Sequence, residues 1–158
     1  MKNSNETLYR ELASHGYVVC AIDHTYQCFS TKLSNGKTVR LSRAFMKEIA
    51  ADSPQDRPEQ SLPHFENWMK IRTGDINFVL DTLIEMAAEE RGGGSVYDLI
   101  DVSRICVMGH SLGGSAALGV GRQRDDIAAV ISLEAPFICD IQGVDADGNY
   151  IFAQAEYP

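Results

Sequence analysis

The chain has 158 residues, of which 44% are hydrophobic, and this is enough for one domain with a hydrophobic core. Its formal net charge is -8 and no cluster of lysine and arginine stands out, which argues against nucleic acid or an anionic membrane surface as a partner. No segment approaches the roughly 18 consecutive apolar residues of a membrane span, and the N-terminus lacks the apolar core of a signal peptide. We therefore expect a cytoplasmic protein without a membrane span.

The first two predicted elements are a short helix and a strand. Asn5 is a candidate N-cap for the helix, and Gly16 is a candidate stop at its C-terminal end. The run "YVVCAI" at residues 17–22 is apolar throughout and rich in β-branched side chains. Such a run is typical of a central parallel strand that is covered on both faces.

An irregular stretch at about residues 30–63 follows. It contains three prolines and many polar residues, so we expect an insertion or a lid-like segment that leaves the main sheet, with one short helix at "SRAFMKEIAA". A long amphipathic helix is predicted from about Phe65 to Glu90, because apolar side chains recur there at steps of three and four residues.

Two further strand-like runs enclose a helix of small residues. The strands are predicted at residues 104–109 ("RICVMG") and 127–133 ("IAAVISL"), and the helix at residues 112–121 ("LGGSAALGVG"). The alternation of helices and strands along the chain predicts an α/β fold, in which helical crossovers connect the strands of a parallel sheet.

The segment "VMGHSLGG" places Ser111 in a Gly-x-Ser-x-Gly pattern between a strand and a helix, which is the context of a nucleophile elbow. Gly109 and Gly113 are expected to relieve the crowding of this sharp turn, because neither carries a Cβ atom. The backbone N–H of Leu112, at the start of the helix, is then a candidate oxyanion donor. A phosphate-binding loop is the competing interpretation, but no Gly-Lys-Ser/Thr follows the glycines.

Four stretches together resemble the α/β-hydrolase superfamily: "LASHGYVVCAIDH", "RTGDINFVLDTL", "DVSRICVMGHSLGG" and "AAVISLEAP". Within it, the chain is most similar to the serine esterases related to platelet-activating-factor acetylhydrolase and dienelactone hydrolase. This resemblance implies a three-layer fold with helices on both faces of a parallel sheet, as a single partial domain over residues 1–158. It also implies hydrolysis of a small-molecule or lipid-like carboxylic ester, with a role in lipid degradation and no metal or organic cofactor.

The same resemblance implies an order of nucleophile, acid and histidine along the chain. Glu134 occupies the acid position just past the last strand, where members of this branch usually carry Asp, and Asp140 and Asp145 are the fallback candidates. No histidine follows His110, which the resemblance makes structural. His24 comes at the end of the first predicted strand, and we expect a supporting role for it.

The resemblance also implies that the first strands of the domain and the histidine-bearing C-terminal part are absent. The loop that donates the second oxyanion hydrogen bond is missing as well, so we expect the isolated chain to have low esterase activity. The alternative function is a non-catalytic fragment that only oligomerises or binds a partner. In either case, exposed sheet edges predict homo-oligomers.

Overall fold

The computed structural model describes residues 5–51, 57–89 and 92–154. The helices and strands of these residues, in chain order, are α1 (Glu6–Ser14), β1 (Ser30–Lys32), β2 (Thr38–Arg40), α2 (Arg43–Ala51), α3 (Pro58–Glu89), β3 (Ile105–His110), α4 (Leu112–Gln123), β4 (Ile127–Leu133), β5 (Ile141–Val144) and β6 (Tyr150–Phe152). Short 3₁₀ helices at Val96–Leu99 and Ile138–Asp140 connect some of them. The strands form three separate pairs, and only β3 and β4 are parallel.

The predicted first helix is confirmed as α1, but the predicted strand at residues 17–22 is wrong. Within the described residues this run pairs with no strand, and its first side chain, that of Tyr17, is 60% exposed. Apolar and β-branched side chains favour extended backbone, but a strand also needs a neighbour to bond its N–H and C=O groups. Among the residues that the structure describes, the parallel strands β3 and β4 bond only to each other.

The stretch predicted as an insertion at residues 30–63 is ordered where the structure describes it. It holds the β1–β2 hairpin and α2, which confirms the short predicted helix, and residues 52–56 lie outside the described part. On α2, the buried ring of Phe45 packs edge-on against Trp68 of α3, with ring centroids 5.2 Å apart. The segment therefore adds to the core.

The long helix α3 begins at Pro58, seven positions earlier than the predicted start at Phe65. Proline suits a first helical position, because its fixed φ is helical and its missing N–H would have no partner there. The helix then continues through Pro63. Its predicted end at Glu90 lies outside the described residues.

The parallel pair β3–β4 is the centre of the fold. Its register places Val107 opposite Val130 and His110 opposite Leu133, so both strands end at the same edge. Helix α4 packs on one face of this pair, and α3 packs against the other side of α4. The core lies along this stack, and its buried apolar side chains are Phe45, Trp68, Met69, Ile76, Val107, Ala116, Ala117, Val120 and Ile127.

Helix α4 is buried on all sides because it lies between the sheet and α3. A Cβ atom on Gly119 would come within 3.0 Å of the Thr73 methyl group on α3, and one on Gly121 within 2.5 Å of a Val130 methyl group on β4. The small side chains of this helix thus let it pack tightly, and every residue from 114 to 121 is buried.

Within the described residues, the face of β3–β4 opposite α4 has no helix packed on it. Met108, Ile131 and Leu133 are about two-fifths exposed there, because side chains alternate between the two faces of a strand. The predicted three-layer architecture, with helices on both faces of a parallel sheet, is therefore not found among the described residues. The predicted homo-oligomer stays a prediction.

Polar contacts hold the loop after residue 22 onto α3. The buried Arg72 donates from Nε to Oε1 of Gln27 at 2.8 Å and from Nη2 to the Gln27 carbonyl at 3.4 Å. Nδ1 of His24, which is 9% exposed, donates to Oδ2 of Asp75 at 3.0 Å. These contacts agree with a supporting role for His24.

In the parts of the chain that the structure describes, no helix has the length and apolar character needed to cross a bilayer.

The environment of His24 predicts that the protein loses stability in acid. Burial lowers the pKa of His24 below its ordinary value of 6.5, and the hydrogen bond to Asp75 offsets this only in part. The unfolded chain therefore takes up a proton at a higher pH than the folded chain, so the free energy of unfolding falls as the pH drops below 6.5. We expect His24→Asn, which cannot titrate, to flatten this slope in urea unfolding between about pH 8 and pH 5.

His15→Asn is the matched control, because the ring of His15 is mostly exposed and pairs with Glu11 within α1. It should leave the slope unchanged. Equal slopes for wild type and His24→Asn would contradict the prediction.

Candidate active site

Ser111 alone connects β3 to α4, since His110 is the last residue of the strand and Leu112 the first of the helix. Its backbone has φ 53° and ψ -125°, a left-handed conformation that costs a residue with a Cβ atom about 1–3 kcal/mol. Although Ser111 is the N-cap residue, its side chain makes no capping hydrogen bond. Ser111 is thus exposed at the edge of the sheet, and its hydroxyl does not cap the start of the helix.

The turn is closed by a close approach of backbone to backbone. A Cβ atom on Gly109 would lie 2.1 Å from the carbonyl oxygen of Gly113. One on Gly114 would lie 2.8 Å from Oγ of Ser132 and 2.9 Å from the Cβ atom of Ala135. The expectation for Gly109 is therefore confirmed. The expectation for Gly113 is wrong, because a Cβ atom there would meet nothing within 4 Å.

Leu112 is the first residue of α4, so its backbone N–H is one of the groups at a helix start that have no acceptor within the helix. The positive end of the helix dipole lies at the same place. This is the geometry that an oxyanion donor requires, and the role of Leu112 stays a prediction.

The sheet brings Glu134 next to Ser111. The N–H of Ser111 donates to the carbonyl of Leu133 at 2.9 Å, and Glu134 directly follows Leu133 at the end of β4. Glu134 itself has a left-handed backbone, with φ 49°. A left-handed residue therefore follows each of the two adjacent strands, and these two residues are the predicted nucleophile and the predicted acid.

The carboxylate of Glu134 accepts a hydrogen bond from the ring of His110. The distance from Nε2 to Oε2 is 3.1 Å, and the side chains are 58% and 87% exposed. The structural role expected for His110 did not include this contact, and that role stays a prediction. No signal in the sequence connects the two residues, since they lie 24 positions apart and meet only because β3 and β4 pair.

The two fallback candidates for the acid have structural partners. Asp140 is 5% exposed and forms an ion pair with Arg122 at 2.8 Å. Asp145 closes the β5–β6 hairpin, where its Oδ1 accepts from the N–H groups of Asp147 and Asn149. These hydrogen bonds to the ionised form lower the pKa of Asp145. Glu134 is thus the carboxylate that borders Ser111.

Residues 5–51, 57–89 and 92–154 include no group of three or more His, Cys, Asp or Glu side chains arranged to hold a metal ion. The site consists of a hydroxyl, a carboxylate, an imidazole and the start of a helix. A serine on a strand–turn–helix junction is the nucleophile-elbow arrangement of the α/β-hydrolase class.

Comparison with known proteins finds several cutinases that are similar to this chain. Cutinase est1 of Thermobifida alba and the cutinase of Thermobifida fusca (strain YX) are each 30% identical to this chain over 126 residues, which is 80% of the chain and 28% of each relative. Cutinase 1 of Thermobifida cellulosilytica is 30% identical over 126 residues, and 32% of it is covered. The chain thus spans about a third or less of these curated relatives. No family model matches it, and no solved structure does.

The similarity to these cutinases implies the α/β-hydrolase superfamily of serine esterases. The branch related to platelet-activating-factor acetylhydrolase stays a prediction, because these relatives are cutinases.

The elbow predicts opposite effects for alanine at two neighbouring glycines. We expect Gly109→Ala to lower the free energy of unfolding by about 3 kcal/mol, the upper end for overpacking, because its methyl group would push against a backbone carbonyl. Gly113→Ala should be neutral or raise stability by about 0.5–1 kcal/mol, because alanine is the better helix former and has room there. Urea unfolding of the two variants measures both values.

The two substitutions add the same methyl group four residues apart, so each serves as the control of the other. Equal stability of the two variants would show that the close approach at Gly109 does not exist.

Proposed function

We propose that this protein hydrolyses carboxylic esters through a covalent acyl-serine at Ser111, with Glu134 as the acid of the site. One observation carries this proposal: Ser111 is held in a left-handed backbone at the strand–helix junction, beside the helix N-terminus, and its N–H donates to the carbonyl of Leu133, the residue before Glu134. A merely structural N-cap serine would have an extended backbone and would bond its side chain to the helix.

The proposed chemistry uses the elements around Ser111 in turn. Its Oγ attacks the carbonyl carbon of the ester, and the negative charge that develops on the carbonyl oxygen lies near the N–H of Leu112 and the positive end of α4. The alcohol leaves, and water then releases the acid from the serine. Glu134 orients the imidazole that accepts the serine proton and stabilises its charged form.

We propose an uncharged or lipid-like ester as the substrate. We also propose that the protein is related to the acetylhydrolase branch of the superfamily. Apolar side chains with substantial exposure lie near the carboxyl edge of the sheet, among them Leu133 and Phe137. They suit a substrate with an apolar part.

The proposed function predicts covalent labelling of Ser111. In a reaction of the pure chain with a fluorophosphonate, we expect one phosphonyl group per chain by intact mass, located at Ser111 by peptide mapping. An oxygen–phosphorus bond forms, the phosphorus–fluorine bond breaks, and fluoride and the serine proton leave. Ser111→Ala should abolish the labelling.

Ser115→Ala is the matched control, because Ser115 lies one helical turn further along α4 and its side chain is fully buried. It should label like the wild type. Absence of labelling at Ser111, or equal labelling of Ser111→Ala, would favour a non-catalytic protein and overturn the proposed function.

A further inference from the structure

The carboxylate of Glu134 has to be held in one orientation before it can act as the acid of the site. Its side chain is 87% exposed and has one more rotatable bond than an aspartate. An exposed side chain of this length samples several rotamers, and each rotamer places the carboxylate differently. The left-handed backbone of Glu134, with φ 49°, fixes only where the side chain begins. The orientation of the carboxylate therefore depends on a further contact.

His110 supplies such a contact. Its Nε2 lies 3.1 Å from Oε2 of Glu134. An ionised carboxylate can only accept, so Nε2 of the ring carries a proton and donates it to this hydrogen bond. The contact engages one oxygen of the carboxylate, and the second oxygen, Oε1, can accept a hydrogen bond at the same time. Glu134 can thus be held by His110 and still bind another donor.

The ring of His110 begins at a fixed place in the sheet. His110 is the last residue of β3 and pairs with Leu133, the last residue of β4. The N–H of the next residue, Ser111, donates to the Leu133 carbonyl and closes the same end of the sheet. Groups that strands carry are placed more precisely than groups on loops. His110 therefore connects the ordered sheet to the exposed side chain that follows β4.

Stability gives only a weak reason for this pair. The side chains of His110 and Glu134 are 58% and 87% exposed, and exposed ion pairs contribute little to the free energy of folding. The place of the pair gives a stronger reason, because it joins the residue before the predicted nucleophile to the predicted acid. A contact that restricts a reacting group raises the fraction of molecules in the geometry that the reaction needs.

We propose that His110 is a positioning residue that holds the Glu134 carboxylate through Oε2, so that Oε1 is presented to the imidazole that accepts the serine proton. This inference rests on the proposed function, since it concerns the acid of the same site. In this role the ring of His110 takes no proton from Ser111. It acts on the reaction only through Glu134, so a side chain with an N–H in the place of Nε2 can replace it.

The first test compares two amide side chains at residue 110. The amide nitrogen of glutamine takes the place of Nε2 in histidine, whereas that of asparagine takes the place of Nδ1, closer to the backbone. We expect the side-chain vicinal couplings of Glu134 in solution NMR to report one rotamer in the wild type and in His110→Gln. In His110→Asn, the same couplings should report averaged rotamers.

The second test is the rate of fluorophosphonate labelling at Ser111, measured by intact mass in the full chain. His110→Asn should lower this rate by about fivefold, the upper end for the loss of an exposed ion pair, and His110→Gln should recover most of it. In the Glu134→Ala background, His110→Asn should lower the rate no further, because His110 acts only through Glu134.

His15→Asn is the matched control for these measurements. It removes an exposed histidine that pairs with a glutamate at 3.2 Å, but within α1, so its labelling rate should stay within about twofold of wild type. Circular dichroism and urea unfolding check that the variants of His110 keep their fold, which the exposure of the ring favours.

Each result decides the inference. Averaged couplings of Glu134 in the wild type, or a single rotamer in His110→Asn, would overturn it and leave the proposed function standing. Equal labelling rates of the wild type and His110→Asn would do the same. Equal losses in His110→Gln and His110→Asn, or a further loss in the Glu134→Ala background, would show that His110 acts in another way and also overturn it. If Ser111 of the wild type is not labelled, both the inference and the proposed function fail.

Discussion

The structure depends on one close contact, the approach of the Gly113 carbonyl to the Cα atom of Gly109. A methyl group at residue 109 would lie 2.1 Å from that oxygen, which leaves room for a hydrogen atom only. Because β3 and α4 meet this closely, a single residue must reverse the chain between them. Ser111 therefore takes a left-handed backbone, and its hydroxyl stands at the edge of the sheet.

The same demand for small side chains continues along α4. This helix lies between the parallel strands and α3, and it fits there because glycine and alanine occupy half of its 12 positions. Gly119 faces α3 and Gly121 faces β4, so both neighbours come closer than a side chain would permit. The layer that supports Ser111 is thus rigidly packed on two sides.

The pairing of β3 with β4 assembles the remaining chemistry. Parallel strands end at one edge, so the residues that follow them become neighbours although they are far apart in the chain. His110 and Glu134 meet in this way, and the helix N-terminus adds a positive end beside them.

The sequence alone determined the elements that follow from local residue patterns. The helix of small residues after Ser111 and the two parallel strands beside it follow from spacing and chain order, and the structure contains both. The acid role of Glu134 follows from the family resemblance and stays a prediction. Only the tertiary structure decided which runs pair, which glycine is crowded and which side chains meet. Residues 17–22 look like a strand but bond to none, and Gly113 looks crowded but has space, because pairing and contact depend on neighbours that are distant in the chain. The contact of His110 with Glu134 has the same origin: a side chain's partner is set by the register of two strands, which no local pattern encodes.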